Sequence, residues 1–388
     1  MSIAIKKSIN AWPAVASIAM GTFVMVTTEL MPIGLLSQIA RDFAVSNGTA
    51  GLLISLPGLV AAVVAPLATL AAGRLDRRLL LIVLSLFLFA SSMASAVASS
   101  FAMLLIARLV LGVCIGGFWT FSTPVGRQLV QAHAGARATA IIMGGISAGT
   151  ILGVPAGTLI ADVLNWRAAF GSVAALAAAA CIFQILSIPS VTAGRAITLS
   201  TLLGLMTIPR ARAGLIAVGL IASGQFMAYT YLEVLITGPM GFAGAALSVV
   251  LLGYGVAGLI GNFAGERFVS WNSRGTFIAT AVSLCLTIAF AALVQSAVAV
   301  SFAIVLLWGF AFGLMPICVQ VWLYEAAPDR FEGGSALLVT ILQIAVAFGA
   351  WAGGRLIDAS GVATTFQIAA GFCLVGGVVI ALLGRKPN

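Results

Sequence analysis

Gly153-Val154-Pro155-Ala156-Gly157-Thr158-Leu159-Ile160-Ala161-Asp162-Val163-Leu164-Asn165-Trp166-Arg167-Ala168-Ala169-Phe170 is the stretch on which the reading of the fold turns. Gly153, Gly157, Asp162 and Phe170 return 196 residues later as Gly349, Gly353, Asp358 and Phe366. Gly112 and Gly116 recur as Gly309 and Gly313, and Gly21-x-Phe23 as Gly224-x-Phe226. Glycine matches alone carry little weight in a chain with 43 glycines, but an aspartate and a phenylalanine in the same register do. The chain reads as two similar halves.

Composition sets the solvent of those halves. Of the 388 residues, 62% are hydrophobic and 7% charged, against roughly 45–50% and about 25% in soluble domains. At a mean hydropathy of +1.18 there is too little polar surface to cover even two water-soluble domains. Lipid is the expected solvent. A bilayer core takes about 20 apolar residues per helix. Twelve such runs occur, at 12–38, 49–72, 79–98, 101–124, 138–161, 168–188, 213–236, 245–265, 275–294, 297–322, 334–356 and 363–384. Lys6 and Lys7 before the first run resemble a secretory signal, but the run outlasts a signal's roughly 7–15 apolar residues and reads as an uncleaved span. The longest interruption, from Pro189 to Arg212, is polar, basic and proline-containing. The expected architecture is an all-α membrane protein. Its twelve transmembrane helices form two pseudo-symmetric six-helix bundles, 1–188 and 213–388, joined by a cytoplasmic linker at 189–212.

The net charge of +9 does not point to nucleic acid, because the basic residues lie in short clusters between apolar runs rather than along one face. With the N-terminus inside, the cytoplasmic segments hold fifteen basic residues, among them Lys6, Arg74, Arg77, Arg78, Arg210 and Lys386. The other side holds Arg41, Arg167 and Arg355. That bias is the positive-inside pattern, with both termini cytoplasmic.

Ionisable groups inside lipid are costly and are functional candidates by default. Three stand within the runs: Glu29, Arg108 and Glu233. Glu29 and Arg108 both fall in the outer half of the membrane, where they are expected to pair. Desolvation favours a carboxyl group's neutral form and a nearby guanidinium its ionised form. Glu29 is therefore the candidate proton carrier and Arg108 the group that tunes it; the alternative is a permanent structural ion pair. Gln225, Tyr229 and Glu233 are spaced by four, one helical stripe that offers hydrogen bonds and an aromatic face to a polar solute. Thr28, Trp119, Tyr231, Gln320 and Gln343, with Trp308 and Trp322, extend the candidate substrate-binding set, since aromatic rings interleaved with amides suit a flat, partly polar ligand. Asp162 and Asp358, beside Trp166 and Arg355, read as structural pairs or gates.

Other chemistries are excluded. The chain has no Gly-rich loop ending in Lys-Ser/Thr, so ATP binding is not expected. Its single histidine, His133, sits in a loop, and no aspartate-rich segment offers a metal cluster. Cys114, Cys181, Cys285, Cys318 and Cys373 lie in apolar runs without a CxxC pair and read as buried thiols. No cofactor and no metal are expected, and an enzyme lacks its catalytic groups.

Against this background, several strings resemble the major facilitator superfamily along nearly the whole chain. Within it the chain is similar to the twelve-helix drug:proton antiporters of the bacterial sugar, purine-nucleoside and chloramphenicol efflux branch. Thr27-Thr28-Glu29-Leu30-Met31-Pro32-Ile33-Gly34 resembles that branch's first-span motif. Gly73-Arg74-Leu75-Asp76-Arg77-Arg78 resembles a short form of the signature loop between spans 2 and 3. Arg108 to Gly112, followed by Gly116-Gly117-Phe118-Trp119, resembles the span 4 motif whose arginine is implicated in proton coupling. Gly145, Gly149, Gly153, Pro155 and Gly157 resemble the span 5 antiporter motif, with its proline displaced by one position. Gly73, Asp76, Arg77, Gly112, Gly153, Pro155 and Gly157 are thus the expected gating or signature positions.

The resemblance implies a monomeric, multi-pass protein of the bacterial inner membrane. It would export a nucleoside, a sugar or a chloramphenicol-like drug against protons by alternating access. Its expected partners are the small-molecule substrate, protons and the lipid bilayer. Uptake by proton symport, a polytopic membrane enzyme and a non-transporting sensor are the rival readings.

Overall fold

The computed structural model describes residues 11–71, 75–191, 206–242, 244–293, 298–327 and 331–384. Every regular element among them is helical, as lipid demands: only a helix or a closed barrel satisfies its own backbone there. The first bundle holds α1 (Trp12–Leu30), α2 (Leu52–Ala71), α3 (Arg77–Ala96), α4 (Phe101–Gln128), α5 (Gly135–Val163) and α6 (Trp166–Ser187). The second holds α7 (Pro209–Tyr229), α8 (Ala245–Trp271), α9 (Ser273–Leu293) and α10 (Val298–Ala326), then the continuous helical stretch Phe331–Leu383. At 53 residues that stretch would reach about 80 Å at 1.5 Å per residue, far beyond a bilayer core of about 30 Å. Gly361 divides it: its φ of 78° and ψ of 177° turn the chain, a conformation that suits a residue without a Cβ. The parts 331–360 and 362–383 are α11 and α12. Eleven helices among the described residues are long and apolar enough to cross a membrane, the last spanning both sides of this turn; divided there, they make twelve crossings.

Helix starts follow side-chain capping. Ser100 accepts from the Met103 amide ahead of α4, and Asn165 from the Ala168 amide ahead of α6, each satisfying a donor the helix leaves free. α7 begins at Pro209, inside the segment read as linker; proline fits a first helical turn because its missing N–H needs no partner. Most of that linker, 192–205, lies outside the described residues, as does Gly73.

Glycine sets the packing. Along α5, Gly145, Gly149 and Gly153 lie in turn on Ala19, Phe23 and Thr27 of α1, and Gly157 on Met31 just past its end. In the second bundle Gly349 and Gly353 of α11 lie on Ser223 and Met227 of α7. Gly112 packs on Pro57 and Val60 of α2, and Gly309 and Gly313 on Tyr254 and Gly258 of α8. Such small residues let backbones close where lipid provides no hydrophobic drive. One sequence match does not hold in space. Gly21 packs against Gln184 of α6, whereas Gly224 packs against Ala369 to Cys373 of α12, about two turns out of register with the equivalent of Gln184.

The two bundles meet along α5–α8 and α2–α11. Thr158 and Ser248 hydroxyls pair at 2.6 Å, and a Cβ on Gly255 would reach the Ile151 backbone. Contacts gather at the end carrying the α1–α2, α5–α6, α7–α8 and α11–α12 connections. There Asp358 accepts from Ser46 Oγ at 2.6 Å and from the Gly48 amide at 3.0 Å. The buried Tyr231 hydroxyl bonds the Ala350 carbonyl at 2.7 Å and sits where a Cβ on Gly51 or Gly354 would fall. This is the sealed end of the molecule.

Candidate functional site

The last turn of α1 leaves carbonyls without intrahelical partners, and the site is built on them. Arg108 of α4, fully buried, donates from Nη1 to the Thr28 carbonyl at 2.8 Å. Its guanidinium lies 4.6 Å from the Phe170 ring centre, a cation–π contact that helps hold the charge away from water. Thr28 turns its own hydroxyl back to the Val24 carbonyl at 2.7 Å.

Glu29, the next residue, is 8% exposed, and its Oε1 accepts from Gln343 Nε2 of α11 at 3.3 Å. The expected direct pair of Glu29 with Arg108 does not form. The two ion pairs found among the described residues are Arg167–Asp42 and Arg210–Glu325. Arg108 grips the helix-end carbonyl instead, where the negative end of the helix dipole lies, and the Glu29 carboxylate is turned to the opposite bundle. Arg108 Nε and Nη2, Gln343 Oε1 and Thr27 Oγ1 are buried with no hydrogen-bond partner. Arg108 and Gln343 thus bring unpartnered polar atoms from both bundles to the surroundings of one buried carboxylate.

A second polar cluster lies within the other bundle. Gln225 of α7 donates from Nε2 to Tyr254 Oη at 2.8 Å and accepts from Trp308 Nε1 at 2.8 Å. Tyr229 stacks on Tyr254 with ring centres 4.9 Å apart and planes 22° from parallel. Trp308 stands edge-on to both tyrosines. The shift of 196 residues carries Glu29 onto Gln225, so one half presents a carboxylate where the other presents an amide. Sequence reading includes Gln225, Tyr229 and Trp308 but misses Tyr254, whose signal is only its aromatic type in an apolar run.

The remaining candidates separate. The Gln225–Tyr229–Glu233 stripe is broken, because α7 ends at Tyr229 and Glu233 belongs to a short helix, Leu232–Thr237. Glu233 accepts from Ser37 of the first bundle. Tyr231 is wedged into the sealed end, away from any open face. Trp119 is half-buried on α4, its Nε1 buried and unpartnered. Gln320 is exposed on α10, and Trp322 donates to the Arg210 carbonyl at 2.9 Å.

Among the signature positions, Asp76 caps α3 through the Arg78 amide and accepts from Ser190 Oγ at 2.7 Å and the Val191 amide at 3.0 Å. It clasps the end of α6 to the start of α3. Those amide and hydroxyl donors hold its carboxyl below the usual range in spite of partial desolvation. The Arg77 guanidinium lies 5.1 Å from the Phe121 ring centre. Pro155 lies inside a continuous α5. Asp162 and Asp358 are not equivalent in use: Trp166 Nε1 donates to Asp42 at 2.9 Å rather than to Asp162, while Asp358 braces the sealed end. A groove of about 510 Å³ between α3 and α4, lined by Ser91, Ala94, Met103 and Ile106 among others, includes no side chain of either polar cluster.

Comparison with known proteins bears on what this arrangement serves. The profile of the Major Facilitator Superfamily matches residues 18–335. The purine ribonucleoside efflux pump NepI of Salmonella typhimurium is 29% identical over 374 residues, covering 95% of this chain and 93% of that protein. The transcription regulatory protein OpdE of Pseudomonas aeruginosa is 31% identical over 385 residues, covering 97% and 95%. Among solved structures, a bacterial homolog of the human lysosomal transporter Spinster, inward-facing and unoccupied, matches with a TM-score of 0.80 at 12% identity, covering 98% of each chain. The human organic anion transporter MFSD10 matches with a TM-score of 0.69 at 17% identity, covering 95% of this chain and 99% of that one.

Proposed function

The chain belongs to the major facilitator superfamily and is a membrane transporter rather than an enzyme, and from that premise we propose that it exports a small polar solute, a purine ribonucleoside first among candidates, in exchange for protons. The observation that carries the reading is Glu29, a buried carboxylate supplied by one bundle and hydrogen-bonded by Gln343 of the other. Rocking of the bundles breaks that bond and changes the carboxylate's access to water. Its affinity for a proton then alternates with the state of the carrier, and Arg108, anchored on the Thr28 carbonyl, keeps a fixed positive charge nearby. The Gln225, Tyr229 and Tyr254 cluster supplies a stacked aromatic face with an amide, which suits a planar heterocycle. The name of the Salmonella relative supports the nucleoside class; sugars and chloramphenicol-like drugs are the other candidates.

In this reading the chain lies in a bacterial inner membrane with both termini cytoplasmic, in accord with its basic residues. The sealed end then faces the periplasm. The test uses inverted vesicles carrying the full chain, energised to an acidic interior, with labelled inosine or guanosine outside. Wild-type protein accumulates the nucleoside and loses that accumulation when an uncoupler is added. Glu29→Gln retains exchange of labelled for unlabelled solute and loses the proton-driven accumulation. Full accumulation in Glu29→Gln removes the assigned role of this residue.

A further inference from the structure

The shift of 196 residues that carries Gly153 and Phe170 onto Gly349 and Phe366 also carries Ser37 onto Glu233. These equivalent residues touch. Glu233 Oε2 accepts from the Ser37 amide at 3.2 Å and from its hydroxyl at 2.7 Å. A bond between equivalent positions of two halves lies at the pseudo-two-fold axis that relates them. This one is at the sealed end, so rocking of the bundles must part it. Glu233 is 4% exposed, and its other oxygen lies 3.5 Å from Thr237 Oγ1.

The charges facing it are few. The Leu36–Asp42 helix brings Arg41, whose positive charge acts on the carboxylate, and Asp42, which is engaged by Arg167 and Trp166. The Met31–Gly34 turn, the first turns of α8 and the rest of the Leu232–Thr237 helix contain no ionisable side chain.

We propose that Glu233 is a second proton-binding site, separate from Glu29, that gates the sealed end. A proton taken from water on that side bonds to a Glu233 oxygen and removes the negative charge that both Ser37 donors share. The latch loosens, and the bundles part there. Loss of the proton to the same water restores the carboxylate and its two bonds. The inference rests on the alternating-access reading of the function but not on Glu29 as the proton carrier.

The test reads the distance across the sealed end from paired spin labels on Asp162→Cys and Ala359→Cys, with the five native cysteines replaced, as pH is lowered. Acidification is expected to lengthen the distance in otherwise wild-type protein and equally in Glu29→Gln. Glu233→Gln is expected to lose the response. Ser37→Ala, which removes one donor to the charged form, should move the midpoint of opening upward by about one to two pH units. It also keeps the proposal testable if Glu233→Gln does not fold. A full pH response in Glu233→Gln, or an unmoved midpoint in Ser37→Ala, overturns the proposal. A response lost only in Glu29→Gln overturns it too and assigns the gating proton to Glu29. Normal gating together with full proton-driven accumulation in Glu29→Gln would count against the role proposed for Glu29 alone.

Discussion

Gln225 illustrates how much one side chain decides in a protein with so few polar groups. Both ends of its amide are used, one on Tyr254 and one on Trp308, and all three residues are buried. Gln225→Leu keeps the approximate volume and orphans the indole N–H and one partner of the phenol. An orphaned buried group costs on the order of 1–3 kcal/mol. The variant should therefore unfold several degrees lower in detergent; under the proposed function it should also bind nucleoside more weakly, as the tyrosine pair loses its anchor. An unchanged melting temperature would mean that the two aromatic groups find other partners. Glu29 shows the limit of reading such residues from sequence. Its identity as a buried, functional candidate is legible from charge in an apolar run. Its partner Gln343, 314 residues away, is not, because nothing local to either residue specifies which amide of another helix will face it.

At the scale of the helix, number, length and repeat are legible, while the faces are not. Soluble helices betray their buried side by an apolar stripe, but here lipid-facing and protein-facing sides are both apolar. Gln320 and Gln343 look alike in sequence; one is exposed and the other buried. The break after Tyr229, which divides the Gln225–Tyr229–Glu233 stripe, is likewise unmarked by any proline or glycine between 225 and 233. Glycine is the surviving signal of a packed face, and α5 offers a controlled test of it. A Cβ at Gly149 would lie 2.7 Å from the Phe23 carbonyl oxygen of α1, whereas one at Gly144 meets nothing within 4 Å. Backbone cannot move aside as a side-chain tip does, so Gly149→Ala should cost about 1–3 kcal/mol through overpacking. Gly144→Ala should be neutral or raise stability by up to about 1 kcal/mol through helix propensity. Thermal unfolding of the two variants side by side checks this; equal effects would show that α5 does not seat on α1 through this stripe.

The whole molecule is held in one state by contacts that lie toward one end. Asp358 on Ser46 and Gly48, Glu233 on Ser37, and Tyr231 in its glycine socket all join the two bundles there. A carrier that alternates must break each of them in the other state, so a change that harms only these contacts shifts a population rather than unfolding the protein. Gly354→Ala is such a change. Its Cβ would lie 2.5 Å from the Tyr231 hydroxyl, the flexible tip of a side chain in the same bundle, and 2.6 Å from the Gly48 carbonyl oxygen of the other bundle, which withdraws when the bundles separate. A penalty of about 1–3 kcal/mol on the closed state alone moves the balance roughly 5- to 150-fold toward opening at that end. Ala50, fully buried beside the seam, is a suitable reporter as Ala50→Cys, its labelling followed peptide by peptide. Labelling by a membrane-impermeant maleimide should accelerate by at least fivefold when Gly354→Ala is added, while labelling at Cys114, buried within the first bundle, stays slow. If both cysteines accelerate together, the substitution has loosened the fold and not the gate. If neither does, the socket gives way without cost and the seal rests on the two carboxylates.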